Sequence, residues 1–184
     1  MRSSVSIVCC LLIAACARVP SDIEEQAQTP APPPPPIHAL PEIVEPLAPL
    51  ADLLGEAPTC SADVQIRGPV VSIFPGQTVC LSFELESGYL VPHATPEPYA
   101  DSVVLRRHES AGGAEPRMAV FNPFALPIKY RAGMRVPDEP RYLATSSFSV
   151  IPGGVSSELW WHEIEEIVVA NFHFLEDPEA MICN

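Results

Sequence analysis

Thr78-Val79-Cys80-Leu81-Ser82-Phe83-Glu84-Leu85-Glu86 is the stretch that decides the fold class. Val79, Leu81, Phe83 and Leu85 alternate with Cys80, Ser82, Glu84 and Glu86. A strict period of two marks a β-strand with one face in a core and the other toward solvent. Pro75-Gly76 just before it is a turn signal, so residues 70–74 are expected to form the first arm of a hairpin with this strand. Working outward, short apolar stretches recur at 102–107, 117–121, 128–132, 143–150 and 164–174, each bounded by Pro, Gly or polar residues. Their Val, Ile and Phe content favours strands. In the last, Val168, Ala170, Phe172 and Phe174 share one face, while Ile167, Val169, Asn171 and His173 share the other. That second face is apolar at one end and polar at the other. Residues 89–100, with Pro92, Pro96 and Pro98, read as a long surface loop, and Ala111-Gly112-Gly113-Ala114 as a hairpin turn. About seven short strands spread over residues 60–184 predict an all-β fold, an antiparallel β-sandwich of immunoglobulin-like type.

Upstream of Cys60 the texture is different. Residues 17–59 hold 11 of the 23 prolines, among them Pro32-Pro33-Pro34-Pro35-Pro36, together with seven acids and one basic residue, Arg18. A segment this rich in proline is expected to be a polyproline-II spacer. Its one stretch suited to docking is Ile43-Val44 with Leu47, Leu50, Leu53 and Leu54, where Pro46 and Pro49 leave room for a single helical turn after Pro49.

The chain starts with Arg2, an apolar run over residues 5–15 broken only by Ser6, and then Ile13-Ala14-Ala15-Cys16. Eleven residues are too few to span a bilayer, which takes about 20; they suit the apolar region of a secretory signal. Two small residues directly before a cysteine resemble the lipobox of bacterial lipoprotein signals. The resemblance covers this leader alone. It implies removal of residues 1–15 and acylation of Cys16 as the first mature residue. Ala17, where members held in the inner membrane carry Asp, implies the outer membrane, with the chain facing the periplasm. Several acyl chains, at about 0.8 kcal/mol per buried CH₂, would hold far better than one. The organisation expected is therefore a signal peptide over 1–15, a lipidated cysteine and proline-rich linker over 16–59, and a β-sandwich over 60–184.

Cys9 and Cys10 would leave with the leader, so the disulfide candidates are Cys60, Cys80 and Cys183. An oxidising compartment predicts one disulfide and one thiol left over. Cys80 lies on the polar face of its strand, where a bridge to a flanking segment would be worth about 2–4 kcal/mol. All three pairings stay open; closeness in sequence leans toward Cys60–Cys80.

Ten Lys and Arg against 23 Asp and Glu give a net charge of −13, which argues against nucleic acid as a partner. His162-Glu163-Ile164-Glu165-Glu166 begins like a zinc-protease HExxH but lacks the second histidine. There is no GxSxG elbow, no glycine-rich phosphate loop and no paired CxxC. No catalytic residue, cofactor or metal ligand is assigned. The best candidates for an external contact are the Trp160-Trp161 pair, one ring of which must face outward in an alternating strand, and Phe124 in Asn122-Pro123-Phe124. The expectation is a lipid-anchored envelope protein, tied to the membrane through its lipid and serving as a non-enzymatic accessory or protein-interaction module. The alternative is a periplasmic metal or small-ligand carrier, with copper ligands drawn from Met118, Met134, His93 and His108.

Overall fold

The computed structural model describes residues 39–87, 89–109 and 116–176. The leader, Cys16, the five-proline run, the 111–114 turn and Cys183 lie outside them. The described chain is one short helix, α1 (Leu50–Leu54), followed by ten strands: β1 (Gln65–Arg67), β2 (Val70–Ile73), β3 (Thr78–Glu86), β4 (Tyr89–Ala94), β5 (Val103–His108), β6 (Arg117–Phe121), β7 (Ile128–Arg135), β8 (Leu143–Thr145), β9 (Val155–Leu159) and β10 (Glu166–Phe174). They form two five-stranded sheets, ordered β1-β2-β10-β7-β8 and β4-β3-β5-β6-β9, with every pair antiparallel. This is the all-β sandwich the alternation predicts. The strands beyond the expected seven are β1, with three residues, β4, which carries Pro92, and β9, whose Ser-Ser-Glu centre hides the alternation.

The core lies between the sheets. Val79, Leu81 and Phe83 of β3 meet Val103 and Leu105 of β5, Met118 and Val120 of β6, and Ile167, Val169, Phe172 and Phe174 of β10. Phe83 tilts against Phe172 at 5.0 Å between ring centroids, and Phe124 meets Phe174 edge-on at 5.1 Å, geometries favoured by the ring quadrupoles. Arg107, 1% exposed, points from β5 into this core. Its guanidinium donates to the carbonyls of Ile73, Ile164 and Glu165, and to Glu109 at 2.7 Å. A buried charge is tolerated only with such a full set of acceptors.

Three expectations are corrected. Residues 89–100 are not a loop throughout, because 89–94 pair with β3 as strand β4, Pro92 being tolerated on an edge strand. Residues 70–74 and β3 do not make a hairpin. The Phe74-to-Gln77 turn is there, closed by Gln77 N–H to Phe74 C=O at 3.1 Å. However, β2 pairs with β1 and β10, and β3 with β4 and β5, so the turn crosses between sheets. The faces of β10 also differ from simple alternation. The register with β7 shifts between Ala170 and His173, where Asn171 takes φ 55°. This bulge switches the parity, so that Ile167, Val169, Phe172 and Phe174 all reach the core. Asparagine tolerates that left-handed conformation better than most residues.

The chain before Cys60 packs on the sandwich. Ile43 bridges Phe124 in antiparallel fashion, Val44 N–H donates to Pro123 C=O at 2.9 Å, Ala125 N–H to Glu42 C=O at 2.7 Å, and Leu47 N–H to Gly153 C=O at 2.8 Å. Gly153 sits at φ 63°, and a Cβ there would lie 2.7 Å from Glu45 O, so only glycine admits the strap this close. Helix α1 then lays Leu50, Leu53 and Leu54 over Cys80, Val104, Ala119 and Phe121 on the outer face of the second sheet. Gly55 ends it in the left-handed region. Cys80 is therefore off the main core, as its alternation indicates, yet fully buried. It is bonded to Cys60, with 5.6 Å between Cα atoms, which fastens the strap to the strand beneath it.

Candidate functional site

Strand β9 is the outermost strand of its sheet, and exposed apolar side chains gather along it. Its even-numbered side chains face the core: Glu158 and Trp160 are buried, while Leu159 and Trp161 are exposed, Trp161 to 75%. Trp160 is held by its indole N–H donating to Thr145 Oγ1 at 3.1 Å. Of the two tryptophans, Trp161 is thus the outward ring. Phe148 is also exposed, and its amide donates to Glu158 Oε1 at 3.3 Å, which ties its segment to β9. At the other end of β9, exposed Ile151 and Leu47 close around Gly154. Exposed apolar side chains with an aromatic ring among them suit a protein contact.

Beneath the flank lies Glu158. Tyr130 donates its hydroxyl to Glu158 Oε1 at 2.8 Å, whereas Oε2 is buried with no hydrogen-bond partner among the described residues. Burial raises the Glu158 carboxyl above its usual range, opposed by the Tyr130 hydroxyl, the Phe148 amide and the charge of Lys129. Burial, and then the carboxylate itself, also push the Tyr130 phenol well up. Both groups are enclosed, Tyr130 fully and Glu158 nearly so, and their bond ties β7 to β9 across the core.

A second cluster stands on the outer face of the β3–β4 hairpin. Glu84 and Glu86 are two apart on β3, and His93 on β4 is paired opposite Ser82, so the three side chains share a face. His93 Nε2 lies 3.6 Å from Glu84 Oε2, and one ligand atom from each of the three falls within 4.8 Å of the others. Imidazole with two carboxylates suits Zn²⁺ or Cu²⁺ rather than Cu⁺, which prefers thioether and thiolate. Sequence alone weighed His93 without its two glutamates, because the grouping depends on a strand pairing that the proline-bearing 89–100 stretch conceals.

The other residues singled out from sequence do not gather. Met118 is core on β6, and Met134 lies on β7, in the other sheet, against His162 Nε2 at 3.4 Å. His108 ends β5, where burial and the charges of Arg106 and Arg117 lower its pKa. His108 and Met118 stand on paired strands one step out of register, so their side chains take opposite faces, and Met134 lies in the other sheet. Phe124, proposed for an external contact, is only 2% exposed, because the Ile43 strap runs over it. His162 lies on a bend outside any helix. No protein-family model, curated protein or solved structure matches this chain.

Proposed function

We propose that this chain is a lipid-anchored envelope protein without catalytic activity, whose sandwich serves as a protein-interaction module through the β9 flank. The observation that carries the contact is Trp161, three-quarters exposed just beyond the end of β9, with Leu159 also exposed two residues before it. Large aromatic anchors among apolar neighbours supply most of the binding energy in protein contacts. The anchor is supported by the lipobox-like Ile13-Ala14-Ala15-Cys16 and by Ala17, which favours the outer membrane and a periplasmic orientation. A photo-crosslinking residue at position 161, activated in intact envelopes, is expected to yield an adduct of defined mass. No adduct, beside a working control, counts against the flank. Cys16→Ser should abolish incorporation of labelled palmitate, and persistent label would refute the anchor.

A second reading is metal carriage, favoured by Glu84, Glu86 and His93. The probe is Zn²⁺ or Cu²⁺ titrated into metal-free protein. Uptake of one equivalent that His93→Ala removes would support it, and heat-silent titration would end it.

A further inference from the structure

Among the described residues the sandwich has four sheet edges, and three are guarded. β1 and β8 are three residues each, and β4 carries Pro92, devices that blunt an edge against pairing. β9 has five residues and no proline, and its one charge, Glu158, is turned inward and bonded.

The hydrogen-bond phase of β9 is fixed by its ends. Asn122 N–H donates to Gly154 C=O, and Trp160 N–H donates to Pro116 C=O, both at 3.1 Å. The β6 register is unbroken between them. Gly154 C=O, both backbone groups of residues 156 and 158, and Trp160 N–H are therefore turned toward β6 and its flanking residues, while Gly154 N–H goes to Ile151 C=O; Val155, Ser157 and Leu159 point theirs outward.

We propose that a second copy of this chain pairs with that edge, β9 antiparallel to β9, about a two-fold axis at Ser157. This rests on the reading of the β9 flank as a contact surface, and it names the partner. In that register Ser157 faces its own counterpart, and Val155 faces Leu159 of the second copy. The three outward residues of each strand then exchange their N–H and C=O groups. A two-fold contact must be complementary to itself, and this one is. The Leu159–Trp161 end of one copy falls opposite the Ile151–Gly153 end of the other, where Leu47 is also exposed, so the exposed apolar side chains at the two ends of β9 cover one another. Charge favours the same place. A chain of net −13 repels its copy, but the outward side chains of β9 are Val, Ser and Leu, flanked across the ladder by Arg117 opposite Leu159.

The test is sedimentation of the full chain in detergent over a concentration series. A monomer–dimer equilibrium is expected, weakened about tenfold or more by Leu159→Lys, which sets a charge on the edge. In a Cys183→Ser background, Ser157→Cys should give a disulfide-linked dimer, since directly opposed bonded residues lie about 5.5 Å apart; Gln65→Cys, exposed on the opposite sheet, should not. A chain that stays monomeric at every concentration, a dimer untouched by Leu159→Lys, or equal cross-linking from positions 157 and 65 overturns the proposal. A monomer that still captures a different envelope protein from position 161 overturns self-pairing and leaves the flank as a contact surface.

Discussion

Glu158 shows how far one residue's chemistry depends on its surroundings. Its carboxyl is raised because burial outweighs the Tyr130 hydroxyl, the Phe148 amide and the charge of Lys129. The folded chain then holds that proton more tightly than the unfolded chain, and stability falls as pH rises through the window between the two values. Glu158→Gln keeps an acceptor for Tyr130 and removes the charge. It is expected to melt higher than the parent at neutral pH, with the gap shrinking as pH falls below the folded-state value. Thermal melts at stepped pH check this, and a glutamine variant that melts lower at neutral pH would show the carboxylate to be compensated. Arg107 is the opposite case, a buried charge with four acceptors. Arg107→Met strands those acceptors and should cost about 3 kcal/mol or more by denaturant titration.

Among the elements, β3 and β10 mark the limits of pattern reading. In β3 the alternation runs unbroken, and sequence places its core face correctly, but the face read as solvent-directed is covered by α1 at Cys80 and opens only toward Glu84 and Glu86. In β10 the same rule fails at Asn171, where the added residue shifts the phase. The mixed character of the Ile167-Val169-Asn171-His173 face was the legible trace of that bulge. Asn171→Val puts a β-branched side chain at φ 55°, and a loss of about 1–2 kcal/mol is expected in chemical denaturation. The strap depends on both a covalent and an apolar fastening. Cys60 and Cys80 are 20 residues apart, so reducing their bond should lower stability by about 3 kcal/mol, read as a shift in the denaturation midpoint with reductant.

At the scale of the whole molecule, packing begins well before Cys60. A chain starting at residue 60 loses Leu50, Leu53 and Leu54 from over Cys80, Val104, Ala119 and Phe121. Against a chain starting at residue 39, it is expected to be less stable by at least about 2 kcal/mol and to bind a hydrophobic dye through the uncovered face. Equal stability of the two would mean that the strap adds nothing.

The class of fold was legible in the residue order, since period-two alternation in short Val- and Phe-rich stretches admits little except strands in layers. The residue order also identified Trp160-Trp161 as a pair with one outward ring, without saying which. That Trp161 is that ring, that Phe124 lies under the strap, that Cys60 meets Cys80, and that Glu84, Glu86 and His93 share a face came from the folding of the chain in three dimensions. The physical reason is that alternation is a property of one strand, whereas partners, register and cover are properties of two or more segments, selected by contacts far apart in the chain.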